Sequence, residues 1–130
     1  MVNNACPFCA LPTSRILGQN DHVFWMRDGF PVSPGHSLVI PKCHVGSFFE
    51  IGEAQRSALL DLLDEAKKAA DQEFRPDSYN IGINDGTAAG QTVPHLHIHL
   101  IPRFEKDLAD PRGGVRWVIP HKADYWTDRS

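Results

Sequence analysis

Histidine occupies every second position of Pro94-His-Leu-His-Ile-His-Leu-Ile-Pro102, with leucine or isoleucine between. Successive side chains of an extended strand point to opposite faces. The spacing therefore predicts a β-strand with His95, His97 and His99 on one face and Leu96, Ile98 and Leu100 on the other. The second face is core. The first carries three groups that titrate near neutrality and serve as nucleophile, acid or ligand. A strand kept only for packing has no use for such a face, so it reads as a site.

The 130 residues make a single domain, 1–130, long enough for a proper core. Strands are expected at 22–27, 37–40, 79–84, 95–101 and 115–119, the last after Gly113 and Gly114. Between Glu53 and about Phe74 the period changes. Ala54, Ala58, Leu59, Leu62, Leu63, Ala66 and Ala70 form one apolar stripe of a helix that Pro76 ends. Strands without regular strand–helix alternation point to an α+β fold with a mainly antiparallel sheet. A net charge of -3 argues against a large nucleic-acid footprint. No apolar run approaches the ~20 residues of a membrane span, and residues 1–6 make no signal peptide. Three cysteines suggest no disulfide framework, so a reducing cytoplasm is the expected setting.

Three histidines on one strand are poorly placed to share a metal. At ~3.3 Å per residue the Cα atoms of His95 and His99 lie about 13 Å apart, against metal–nitrogen bonds of about 2 Å. Nucleophilic catalysis by the central ring fits better. Titratable neighbours on both sides disfavour protonating His97, which keeps it neutral and able to attack phosphorus. His99, one step along, is placed to hold or protonate the leaving oxygen. The preceding loop offers Asn84, Gln91 and Thr92 as uncharged donors, and Gly86 and Gly90 allow backbone N–H groups to approach a phosphate.

Gly90-Gln-Thr-Val-Pro-His-Leu-His-Ile-His-Leu-Ile101 resembles the signature of the histidine-triad (HIT) superfamily of nucleotide hydrolases and transferases. Pro34-Gly-His-Ser-Leu-Val-Ile-Pro-Lys42 resembles the second common segment of that superfamily. The resemblance implies a HIT-like fold: an antiparallel sheet of about five strands with one long helix, in a homodimer of joined sheets. It implies that His97 is the nucleophile at the α-phosphorus and that His99 contacts phosphate and leaving group. It places His36 close to the nucleophile, gives Asn84, Gln91 and Thr92 to the phosphate and Asp28 to the ribose, and lines a base pocket with Phe8, Leu11 and Met26. Asp28 beside Gly29 also suits a plain turn, and the three apolar residues suit plain core.

Cys6-Pro-Phe-Cys9 is a C-x-x-C pair, either a redox motif or half a metal site. A redox pair belongs at a strand-to-helix junction of an α/β domain, which this chain lacks. Zinc needs two further ligands, and His44 and His95 are the best candidates. Bacterial proteins that the chain resembles carry such a structural zinc. Cys43 competes with His44, because adjacent residues of an extended segment point opposite ways and one of them reaches the metal. No metal is expected at the phosphorus.

Residues 104–130 resemble the superfamily less closely. Asp110 to Pro120 is similar to a tail of bacterial diadenosine-polyphosphate hydrolases. Trp117, Tyr125 and Trp126 are candidates for specificity, dimer contacts or surface anchoring, and Arg112 and Arg116 either meet the phosphates of a second nucleotide or are simply solvated. The expected activity is hydrolysis at the α-phosphorus of a purine nucleotide derivative through a nucleotidyl-histidine. The substrate is a dinucleoside polyphosphate such as diadenosine tetraphosphate, or a nucleoside phosphoramidate, with neither nucleic acid nor membrane as partner. The competing expectation is a slow or non-catalytic nucleotide- and zinc-binding interaction protein.

Overall fold

Alternating and continuous apolar runs assemble into one antiparallel sheet of five strands: β1 (Gly18–Gln19), β2 (Val23–Arg27), β3 (Ser37–Pro41), β4 (Ser78–Gly82) and β5 (Ile98–Arg103). The spatial order is β1-β2-β3-β5-β4, and one long helix, α1 (Glu53–Phe74), lies across the sheet. The architecture is the α+β fold that the sequence predicts. The computed structural model describes residues 5–127. The first four residues, part of the segment read as no signal peptide, and the last three of the 104–130 segment lie outside it.

Helix α1 begins where the Gly52 N–H donates to Gln55 Oε1, 3.2 Å away, and ends at Arg75, which turns left-handed (φ 50°) ahead of Pro76. Its buried stripe is Ala58, Leu59, Leu62, Ala66 and Ala70. Ala54 is exposed, against expectation, because the packed stripe starts one turn further on, at Ala58. The stripe meets Val23, Trp25, Val39, Ile98 and Leu100 on one face of the sheet. The opposite face carries Phe24, Met26, Leu38 and Ile40, roofed by Phe8, Leu11 and Ile16 of the N-terminal segment. Cover on both faces explains why β2 and β3 read as continuous apolar runs rather than alternations.

The histidine strand enters the ladder later than predicted. Pairing starts at Ile98, and residues 95–97 approach it with Leu96 N–H donating to Val45 O at 2.7 Å. The face preference holds. Leu96, Ile98 and Leu100 belong to the helix-side core, and His99 pairs with Leu38, so both share the opposite face.

The strand predicted at 115–119 does not form. Gly113 and Gly114 (φ 93° and 47°) turn the chain into a 3-10 helix, Gly114–Val118, followed by α2 (Pro120–Ala123). Val115, Val118 and Ile119 are exposed, so their β preference finds no buried face and no strand edge to satisfy it. The strand at 79–84 runs from 78 to 82 and forms an edge of the sheet. Among the described residues no helix is long and apolar enough to cross a membrane.

Candidate active site and metal centre

His36 is delivered by the tight turn Ser33-Pro34-Gly35, whose glycine sits at φ 88°, where a Cβ would also press on the Phe74 ring. The imidazole is buried, and its Nδ1 accepts the Val32 N–H at 3.1 Å. A neutral ring that accepts at Nδ1 carries its hydrogen on Nε2. That Nε2 faces His99 Nδ1 at 3.0 Å and Asp28 Oδ2 at 3.4 Å. His99 therefore accepts at Nδ1 and keeps its own hydrogen on Nε2. Burial, reinforced by the neighbouring His97 and His36, pushes the His99 pKa down to about 4. Burial lowers that of His36 as well, against the opposing pull of Asp28. Both rings are neutral at pH 7.

Asp28, His36 and His99 bring ligand atoms within 4.8 Å of one another, as a metal site would. The Val32 N–H decides otherwise, because it leaves a hydrogen on the very nitrogen of His36 that would have to bind the ion. The trio is a hydrogen-bonded chain from backbone to His99.

His97 is 8 % exposed, and its Nδ1–H donates to His95 O at 2.8 Å. The neutral ring then carries its lone pair on Nε2, the form a nucleophile needs. The Phe8 and His99 rings pack against it at centroid distances of 5.1 and 5.0 Å. His36 packs on His99, at 5.2 Å between ring centroids.

Of the three uncharged donors, Asn84 lines the cavity at His36 and His99. Gln91 ties its own loop to the segment before α1, accepting the Gly86 N–H at Oε1 (2.8 Å) and donating from Nε2 to Gly46 O (2.9 Å). Thr92 is exposed. Asp85, which the sequence did not single out, locks the same loop by accepting the Ser47 hydroxyl and the Phe48 N–H. Its Asp-Gly turn signal was the one clue. Asp28 combines the turn role, accepting the Phe30 N–H at Oδ1 (2.8 Å), with an Oδ2 aimed at His36. Met26 is buried in the apolar cluster that Phe8 and Leu11 cover.

A second centre lies at the start of the histidine run. Cys6 Sγ is 3.3 Å from His95 Nδ1, Cys9 Sγ is 3.3 Å from His44 Nδ1, and Cys9 Sγ is 3.6 Å from His95 Nδ1. Tetrahedral zinc bonds of about 2.0–2.3 Å hold such ligand atoms roughly 3.3–3.8 Å apart, and the set fits. His95 Nε2 donates to Pro41 O at 2.8 Å, which turns the Nδ1 lone pair to the sulfurs, the backbone anchor typical of a metal-binding histidine. Cys43, the competing ligand, is exposed and outside the cluster, because His44 is the neighbour that points inward.

From His36 and His99 a cavity of about 670 Å³ runs along the sheet, past Ile101 to Leu108, Val115 and Trp117. The two C-terminal arginines are not turned to it. Arg112 grips Asp110 and lies over the Trp126 ring at 4.8 Å. Arg116 donates to Ala123 O and Lys122 O and lies over Tyr125 at 4.6 Å. These contacts lie within the C-terminal segment.

A sequence profile of the HIT domain matches residues 12–106. An uncharacterised 16.1 kDa HIT-like protein of Mycoplasma pneumoniae is 36% identical over 112 residues, 83% of this chain and 78% of that protein. The asymmetrical bis(5'-nucleosyl)-tetraphosphatase of Schizosaccharomyces pombe is 38% identical over 80 residues, 62% of this chain and 44% of the enzyme. Among solved structures, a zinc-bound histidine triad family protein of Mycobacterium smegmatis superposes with a TM-score of 0.72 at 31% identity, covering 82% of this chain and 80% of that one.

Proposed function

The chain belongs to the HIT domain family, and from that premise we propose that it hydrolyses a purine nucleotide derivative at the α-phosphorus. The observation that carries this reading is the hydrogen bond from His97 Nδ1 to His95 O, which leaves Nε2 free to attack. The Nε2 lone pair forms a bond to phosphorus while the bond to the leaving atom breaks and its electron pair departs. Water then attacks the nucleotidyl-His97, and the pair of the phosphorus–nitrogen bond returns to Nε2. Net, the hydroxide of water ends on phosphorus and its proton on the leaving group or in solvent.

His99, neutral at pH 7, assists as a hydrogen-bond donor from Nε2 to the developing negative charge rather than as a cation. His36 fixes that tautomer. Asn84, Thr92 and the loop pinned by Gln91 hold the phosphate, Asp28 the ribose, and Phe8, Leu11 and Met26 the base. Zinc held by Cys6, Cys9, His44 and His95 is structural and tethers the N-terminal segment to the sheet. The single domain works in the cytoplasm as a homodimer joined along β4, an edge strand whose Ile81 is exposed.

The substrate is a dinucleoside polyphosphate or a nucleoside phosphoramidate, and the named activity of the S. pombe relative supports the hydrolase class. The purified protein, incubated separately with diadenosine tetraphosphate and adenosine phosphoramidate, is expected to release AMP from at least one. His97→Asn is expected to abolish release, by roughly 10³-fold or more, while AMP still binds. AMP binding without release by the wild type would favour the interaction-protein reading instead.

A further inference from the structure

The loop between Asn84 and the histidine run stands open to solvent. Residues 86–90 are all exposed, and a Cβ at Gly86 or Gly90 would meet nothing within 4 Å. A segment with no buried contacts keeps one shape only through the hydrogen bonds at its base.

Those bonds run to one short strap, residues 45–48, taken in order. Val45 O accepts the Leu96 N–H at 2.7 Å, and Gly46 O accepts from Gln91 Nε2 at 2.9 Å. The Ser47 hydroxyl donates to Asp85 Oδ1 and the Phe48 N–H to Asp85 Oδ2, each at 2.9 Å. The strap itself is anchored. Val45 and Phe48 pack on the helix-side core, and Arg56 of α1 lies over the Phe48 ring at 4.7 Å while donating to Phe48 O.

Gln91 closes the far end of the loop, exchanging hydrogen bonds with Gly86, and Asp85 holds the near end. Its place in the chain gives Asp85 leverage. Asn84, which lines the cavity with His99, lies between Asp85 and Ile83, and Ile83 packs on the same core as the strap. Without the Asp85 contacts Asn84 is anchored on one side only. Charge points the same way. A carboxylate beside a phosphate site repels the anion, so this position gains nothing from Coulomb attraction. Its two oxygens are instead taken up by the two strap donors, in charge-assisted hydrogen bonds.

We propose that Asp85 is a positioning residue for the phosphate: it fixes the loop, and with it Asn84 and Thr92, against the 45–48 strap without touching substrate. The inference rests on the reading that this loop holds the phosphate, and it is measurable without turnover.

Calorimetry with AMP and adenosine tests it, because the two ligands differ in the phosphate alone. Wild-type protein should bind AMP about 30-fold tighter than adenosine. Asp85→Ala should cut that ratio about tenfold and leave the adenosine Kd in place. Loss of a negative charge alone would raise the ratio, and a general loosening of the domain would weaken both ligands equally. Either result overturns the proposal, as does a wild type that binds the two alike. Asp85→Asn supplies the rescue. Its amide oxygen accepts the Phe48 N–H and its amide nitrogen donates to Ser47 Oγ, so the ratio should return to within about threefold of the wild type. An Asn variant as weak as the Ala variant overturns the proposal too.

If Asp85→Ala does not fold, Ser47→Ala decides. It leaves the carboxylate the Phe48 N–H and should lower the AMP-to-adenosine ratio about threefold. An unchanged ratio removes the proposal. AMP release from adenosine phosphoramidate by the same wild-type protein keeps the two readings apart. If there is none, the hydrolase reading falls, and the binding ratio still decides Asp85.

Discussion

His36 sends a backbone hydrogen-bond preference, set by one amide, through to the nitrogen of His99 that would face substrate. The chain works because both rings are buried and neutral, and that neutrality has a consequence for stability. In the unfolded chain each ring titrates near 6.5, whereas folded His99, facing His97, His36 and Asp28, protonates only near pH 4 and His36 is displaced the same way. Between these values the unfolded state binds more protons, so stability rises with pH from about 4 to 6.5 and is lost as pH falls through that window. The urea midpoint should drop between pH 7 and pH 5, and His36→Gln/His99→Gln should flatten that drop. An equally steep slope in the double variant would mean that other groups drive it. The alternation around His97 was readable in the sequence because a strand's two faces are a local property. The tautomer of His99 was not, since it needs the turn at Gly35, the pairing of β3 with β5 and the Val32 amide together.

Helix α1 shows what periodicity delivers at the scale of an element. Its bounds and stripe followed from seven apolar residues at helical spacing, because a helix satisfies its backbone within itself and needs tertiary structure only for its buried face. Leu62 is 4 % exposed in that face, and Leu62→Ala should lower the unfolding free energy by about 3 kcal/mol with an unchanged urea slope. Leu60, 55 % exposed on the same helix, should cost less than about 1 kcal/mol on the same change, since it buries little apolar surface and alanine is at least as good a helix former. Equal losses at both positions would contradict the packing described. Strands are different. Val115–Ile119 has the composition of a strand but no partner edge, and β1 has a partner but only Gly18 and Gln19 to announce it. Pairing is decided elsewhere in the chain, so a local reading over-called one and missed the other.

Across the whole molecule the metal centre and the candidate nucleophile are one construction. The carbonyl that orients His97 belongs to His95, which the cluster holds, and Phe8, between Cys6 and Cys9, packs on both rings at 5.7 and 5.1 Å. The same N-terminal segment roofs the sheet with Leu11 and Ile16. The grouping of Cys6, Cys9, His44 and His95 was legible because the C-x-x-C pair demanded partners of known chemistry. Their coupling to His97 was not, because the proximity of residues 6–9 to 95–97 is a product of the finished sheet. Losing the metal should therefore loosen more than one end of the chain. Cys6→Ser/Cys9→Ser is expected to lower Tm by roughly 10 °C. At a temperature where that variant remains folded, AMP should bind roughly tenfold more weakly, since second-contact partners of a site carry losses of this size when removed. Cys43→Ser, at an exposed position outside the cluster, should leave both values in place. Full AMP affinity in the folded double variant would show that the N-terminal segment stabilises the domain without positioning the site, and would detach the two centres that the His95 carbonyl joins in one bond.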